Sequence, residues 1–292
     1  MMKTIKTFAK LAALGVAGMA LATSSSFAQS TVTYSQGDFL LGFRATGGTG
    51  AAQNVLVDIG PGSNFLNSST QVTFDLSNLG STLNGVFGSN WNTRSDVFFS
   101  VAGVDPTVNA TVYITAPETV GGSEATPWNG LGNSSQTGVR NKINTEGGVP
   151  STSGYNFYKS NTNPFGAGPA VIEGQTDTNS YGSYMPGGTT ANSGAAPGIS
   201  YAQFSPTIEG NFANGTSGVT LDLIKLASGS GTVPGIDLGD FTISDSGILK
   251  WTPDSFEAIP EPSTYALLAL GGAIFVFSGI RRRLRPRLGD LL

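Results

Sequence analysis

Between its two ends this chain has no long stretch with the 3.6-residue apolar period of an amphipathic helix. It has short apolar runs closed by glycine, proline and asparagine instead. The first half carries Thr31-Val-Thr-Tyr, Asp38-Phe-Leu-Leu-Gly-Phe-Arg44, Asn54-Val-Leu-Val-Asp-Ile59, Gln71-Val-Thr-Phe-Asp-Leu76, Asp96-Val-Phe-Phe-Ser-Val-Ala102 and Ala110-Thr-Val-Tyr-Ile-Thr115. After a long gap come Pro206-Thr-Ile-Glu-Gly-Asn-Phe212, Val219-Thr-Leu-Asp-Leu-Ile-Lys-Leu226, Gly239-Asp-Phe-Thr-Ile-Ser244 and Gly247-Ile-Leu-Lys-Trp251. These runs are rich in β-branched and aromatic residues and four to eight residues long, which is the pattern of strands. Parallel strands would need a crossover helix at each step, and the sequence shows no such alternation of helix and strand. The expected fold is therefore all-β: an antiparallel β-sandwich or jelly-roll-like domain.

Turn chemistry sets the rest of the expectation. The chain holds 41 glycines in 292 residues, about 14%, twice the usual share of about 7%. Residues 231–235 and 244–247 are short enough to connect hairpins. Helices are expected only at 76–87 and 137–145. Residues 117–200, dense in Gly, Ser, Thr, Asn and Pro, read as long loops elaborating one domain.

The two ends are of another kind. Lys3, Lys6 and Lys10 precede an apolar stretch at 11–22, a polar segment and then Ser26-Phe27-Ala28. Charge, short apolar core and small-x-small make up an export signal, with the cut expected between Ala28 and Gln29. At the other end, residues 265–280 carry no charge, and Arg281, Arg282, Arg283, Arg285 and Arg287 follow. Sixteen residues make about 24 Å of helix. With residues 262–264 the stretch nears the bilayer core of about 30 Å. The arginines hold that end in the cytoplasm and leave the domain outside, in agreement with the export signal. A buried core helix or an unprocessed stop-transfer anchor would also contain such a stretch. The expected organisation is a signal peptide at 1–28, a β-rich extracellular domain at 29–258 and a sorting tail at 259–287 with a transmembrane helix at 265–280.

Composition removes several function classes. Cys and His are both absent. That excludes a disulfide framework, a thiolate or imidazole metal site, a cysteine nucleophile and a Ser-His-Asp triad. Charge is sharply partitioned. Residues 1–28 carry +3; residues 29–280 hold 18 acids against seven bases, −11; residues 281–292 carry +4. The exported part is acidic, and nucleic acid, which needs clustered cations, is excluded as a partner.

Pro260-Glu261-Pro262 stands just outside the membrane face. Two prolines hold this segment extended and stop the helix from running upstream. A readable, protease-accessible junction results. Ile259-Pro-Glu-Pro-Ser-Thr264, the apolar span and Arg281-Arg-Arg283 together resemble the PEP-CTERM sorting signal of Gram-negative bacteria. That resemblance covers about 28 residues; one departure is that residues 284–292 extend past the arginine cluster. It implies transit through the Sec translocon, transient insertion of 265–280 in the inner membrane and recognition by an exosortase, a membrane-embedded transpeptidase-like enzyme. Cleavage near Pro260, Glu261 and Pro262 and delivery to the cell surface or an extracellular polymeric matrix would follow. Phe39-Leu-Leu-Gly-Phe-Arg-Ala-Thr-Gly-Gly48, Gly88-Ser-Asn-Trp-Asn-Thr-Arg-Ser-Asp96 and Ile208-Glu-Gly-Asn-Phe-Ala-Asn-Gly215 also resemble a group of these proteins, a group with no activity to carry over.

Inside the domain, Asp237, Asp240 and Asp245 lie close in sequence. Paired carboxylates serve glycoside hydrolysis or hold Ca²⁺, yet no EF-hand pattern surrounds them, and acids at strand ends and turns explain them. Trp91, Trp128 and Trp251 could stack on sugars; Trp251 fits core packing better, and Trp91 sits in a polar turn. No catalytic, cofactor, metal or ligand-binding residue is assigned. The sequence thus points to a non-enzymatic surface or matrix protein, with extracellular polysaccharide as a further candidate partner. A carbohydrate-binding adhesin and a carboxylate-dependent glycoside hydrolase are the alternatives.

Overall fold

The structure, a computed structural model, describes residues 29–32, 34–76, 78–108, 111–118, 124–148, 159–162, 170–177, 179–185, 201, 204, 207–226 and 233–254. Most of its regular structure is antiparallel β. Strands β1 (Gln29–Val32) and β7 (Lys159–Thr162) form a two-stranded ribbon. The others are β2 (Asp38–Ala45), β3 (Gln53–Pro61), β4 (Val72–Phe74), β5 (Val97–Val104), β6 (Val112–Pro117), β8 (Ala170–Gly174), β9 (Gly210–Asn211), β10 (Leu221–Leu226), β11 (Ile236–Ile243) and β12 (Leu249–Pro253). Nine of them run β4-β12-β11-β10-β6-β5-β2-β3-β8, and β9 adds to β5.

This arrangement corrects the expected sandwich. The strands build one curled sheet rather than two facing ones. Phe65, on the short helix α1 (Ser63–Leu66), shows the curl directly. Its ring lies 5.4 Å from Phe39 on β2 and 6.2 Å from Trp251 on β12. Those two rings are therefore no further apart than the two distances combined. Five strand steps separate β2 from β12, which in a flat sheet would be about 24 Å. The concave face closes over Phe39, Leu41, Phe43, Phe99, Phe212, Leu223, Phe241 and Trp251. Helix α2 (Leu79–Phe87) covers part of it, with Leu79, Leu83, Val86 and Phe87 at helical spacing on one face.

The convex face is covered as well, which is why β2 is buried along its whole length. Helix α3 (Asn133–Gly147) sets Val139 and Ile143 against it, and α4 (Tyr181–Tyr184) adds Tyr181 and Tyr184. Residues 117–200 thus do more than loop: they supply the helical cover of the convex face and the edge strand β8. The helices expected at 76–87 and 137–145 fall on α2 and α3. Connection 244–247 is a tight turn, closed by Gly247 N–H donating to the Ser244 carbonyl at 2.8 Å.

A buried ion pair is built into the convex layer. Arg44 of β2 meets Glu209 through its Nε and Nη2, at 2.9 and 2.6 Å. Tyr181 donates its hydroxyl to the same carboxylate at 2.8 Å. Both members of the pair are buried, so each charge is balanced where water cannot reach it.

Candidate functional site

The residues that carry the sorting signal lie outside the described residues: Pro260, Glu261, Pro262, the span 265–280 and Arg281, Arg282 and Arg283, as does Ala28 at the other end. Gln29 opens β1, paired with Thr162. Among the described residues no helix is long and apolar enough to cross a membrane. The last described residue, Asp254, directly follows β12, so the tail leaves from the end of an internal strand.

Within the fold, the main concentration of chemistry-bearing side chains among the described residues is an acidic group at one end of the convex face. Asp222 of β10 stands opposite Asp240 of β11, and opposite Ala116 of β6 on its other side. Glu118 lies two residues beyond Ala116, on the same face. One carboxylate oxygen from each of Glu118, Asp222 and Asp240 falls within 4.8 Å of the others. Asp254 closes the group from the end of β12.

A backbone irregularity adds Asp237. Strict alternation puts residues three apart on opposite faces. Between Asp222 and Ile224, however, β11 spends one extra residue, so that Ile224 faces Asp237 while Asp222 faces Asp240. This is a β-bulge. Gly239, at φ +135°, supplies the backbone conformation, and a Cβ there would meet the backbone of Thr252 and Pro253.

Crowding these acids makes them reluctant to ionise. Burial pushes Asp240 up to about 7, reinforced by the charges of Asp222, Glu118, Asp254 and Asp237. Asp237 also rises to about 7, through burial and the charges of Asp254, Asp222 and Glu124, opposed by a hydrogen bond from the Gly239 N–H. Glu118, Asp222 and Asp254 are each raised, by burial first, with neighbouring acids adding to it. Asp222 is fully buried; Ala125 N–H donates to its Oδ2, and its Oδ1 meets no N–H or hydroxyl donor.

Of the three aspartates singled out in the sequence, the structure brings Asp237 and Asp240 together and places Asp245 elsewhere. Asp245 sits in the exposed β11–β12 turn and accepts from the Thr216 hydroxyl. Glu118, Asp222 and Asp254 escape sequence reasoning. Asp222 has a signal, an acid inside the apolar run Leu221-Asp-Leu-Ile224.

The tryptophans are packing residues. Trp91 is 1% exposed and meets Phe212 edge-on at 5.0 Å. Trp251 is equally buried and donates its indole N–H to the Phe65 carbonyl at 3.1 Å. Neither presents a face to a sugar. Trp128 is half-buried, 5.4 Å from Phe204. A cleft of about 520 Å³ opens beside α1, lined among others by Phe65, Leu66, Lys225, Asp237 and Asp254.

Comparison with known proteins locates one match. The PEP-CTERM protein-sorting motif is found at residues 258–283, beginning four residues after Asp254. No curated protein and no solved structure matches the chain. The motif marks a substrate of exosortase, exported and sorted to a membrane-anchored location at the cell surface. The sequence-level reading of the tail and the matched motif coincide, and this chain is a PEP-CTERM sorting domain-containing protein.

Proposed function

We propose that residues 29–258 form a non-catalytic domain of the cell surface or extracellular polymeric matrix. On this reading the domain crosses the inner membrane through the Sec translocon. The span 265–280 then holds it there until exosortase cuts near Pro260, Glu261 and Pro262. The observation that carries this reading is the sorting motif at 258–283, immediately downstream of the last strand. The acidic balance of the exported part favours a soluble, self-repelling domain outside the cell. Polysaccharide of the matrix is the proposed neighbour.

Intact-mass measurement of surface-extracted protein tests the route. The expected product starts at Gln29 and ends near 260–262. A chain with Pro260, Glu261 and Pro262 replaced by alanine is expected to remain in the inner-membrane fraction with its arginines attached. Surface material that still carries Arg281, Arg282 and Arg283 would refute processing. Hydrolysis of a polysaccharide, abolished by Asp240→Asn, would refute the non-catalytic reading.

A further inference from the structure

We propose that Glu118, Asp222 and Asp240 form a binding site for a hard divalent cation, with Ca²⁺ the ion that fits. Two oxygens bound to one Ca²⁺ at about 2.4 Å can be no more than about 4.8 Å apart, and the three carboxylates offer oxygens within 4.8 Å of one another. The spacing falls within that bound.

Asp222 is the independent pointer. It is fully buried, yet its Oδ1 meets no N–H or hydroxyl donor, and the Asp240 carboxyl beside it donates only when protonated. A buried carboxylate oxygen without a donor is costly unless a positive charge meets it. Among the described residues no side chain supplies that charge: the ion pairs there are Arg44–Glu209 and Arg94–Asp96. Glu118 and Asp240, by contrast, are only half-buried, so an ion can enter from solvent and keep part of its water shell.

The backbone supports the arrangement. Three strands converge here, with Asp222 and Asp240 directly opposite across β10 and β11. The bulge at Gly239 and the end of β12 add Asp237 and Asp254 around the three ligands, deepening the negative potential. Carboxylates set on strands of fixed spacing suit Ca²⁺, which accepts irregular oxygen sets at about 2.3–2.6 Å, better than Mg²⁺, which demands near-octahedral ligands at about 2.0–2.1 Å. An exported protein meets Ca²⁺ at concentrations where even a weak site, with Kd of about 10⁻⁴–10⁻³ M, fills.

The test uses full-length protein in detergent, with CaCl₂ alone as probe. Calorimetric titration is expected to give one saturable site. Calcium at about 10 mM, well above the Kd of a weak site, is expected to raise Tm relative to EDTA. Asp240→Asn, at a half-exposed position, is expected to weaken binding at least tenfold and to remove the Tm response. Asp222→Asn is expected to do the same if it folds. Asp245→Asn, in the turn at the far end of β11, is expected to keep both. Wild-type protein that shows neither heat nor a Tm shift with Ca²⁺ overturns the proposal. So does a response that Asp245→Asn reduces as much as Asp240→Asn. A Tm unmoved by Ca²⁺ but rising as pH falls from 8 to 5 would show a shared proton in place of a metal, and would overturn it too.

Discussion

Arg44 and Glu209, 165 positions apart in the chain, hold each other through two nitrogens inside the convex layer. The pair fastens β2 to the segment leading into β9, one from each side of the long insertion at 117–200. Burial alone would lower the proton affinity of Arg44; the hydrogen bonds and charge of Glu209 outweigh it and hold the guanidinium charged. Replacing Glu209 by Ala leaves that cation buried without its partner. Loss of about 3–5 kcal/mol is expected, read as a lower urea midpoint with unchanged m-value. The double variant Arg44→Met, Glu209→Leu should recover most of it, because no charge is then stranded.

Gly42 tests the packing on the same face. A Cβ there would run into the ring of Tyr181, whose hydroxyl completes the Glu209 site. Gly42→Ala is expected to cost about 1–3 kcal/mol by overpacking. Near-ultraviolet circular dichroism should report a displaced tyrosine.

Trp91→Ala separates packing from sugar binding. A ring buried against Phe212 and Phe43 should cost about 3–5 kcal/mol when removed, visible in thermal melts. Any residual glycan binding by the folded fraction should be unchanged.

The acidic group predicts a direction in pH. Asp240 and Asp237 rise to about 7 in the fold from an unfolded value of about 3.9. A raised carboxylate makes the folded state bind more protons than the unfolded state. Its contribution to stability is therefore full below about pH 4 and is lost as pH climbs to about 7. In EDTA, stability should fall across that window. Asp240→Asn should flatten the fall and raise Tm at pH 8. The groups facing Asp240 are Glu118, Asp222, Asp237 and Asp254, all acidic. Since Asp240 is half-exposed, the gain is about 1 kcal/mol after screening, or about 2–4 °C for a domain of this size.

Much of the sheet is legible in the sequence. β2, β3, β5, β6 and β10 coincide with runs of β-branched and aromatic residues, because strands buried on both faces must be apolar throughout. β8 is hidden: Ala170-Val-Ile-Glu-Gly174 is short and stands in a stretch dominated by turn residues. The curl is hidden too, since alternation says which residues share a face and nothing about how far a sheet bends. Asp237 and Asp240 illustrate the same limit. Their spacing of three argues for opposite faces, and only the bulge at Gly239 reconciles them. Glu118 and Asp222, more than a hundred positions apart in sequence, meet only through the β6–β10 register.

The position of β12 has a mechanical consequence. Its C-terminal end is where the sorting tail begins, and the strand is bonded to β11 on one side and β4 on the other. Drag on a tethered domain in flowing liquid would enter the fold through Asp254. That load would meet the β11 ladder first, at Pro253 and Thr252, and from Trp251 inward it would be shared with the β4 ladder, so the body of β12 resists being peeled away as an edge strand would be. The aromatic grip of Phe65 and Phe241 on Trp251 then acts as a clamp at the point where the tether pulls.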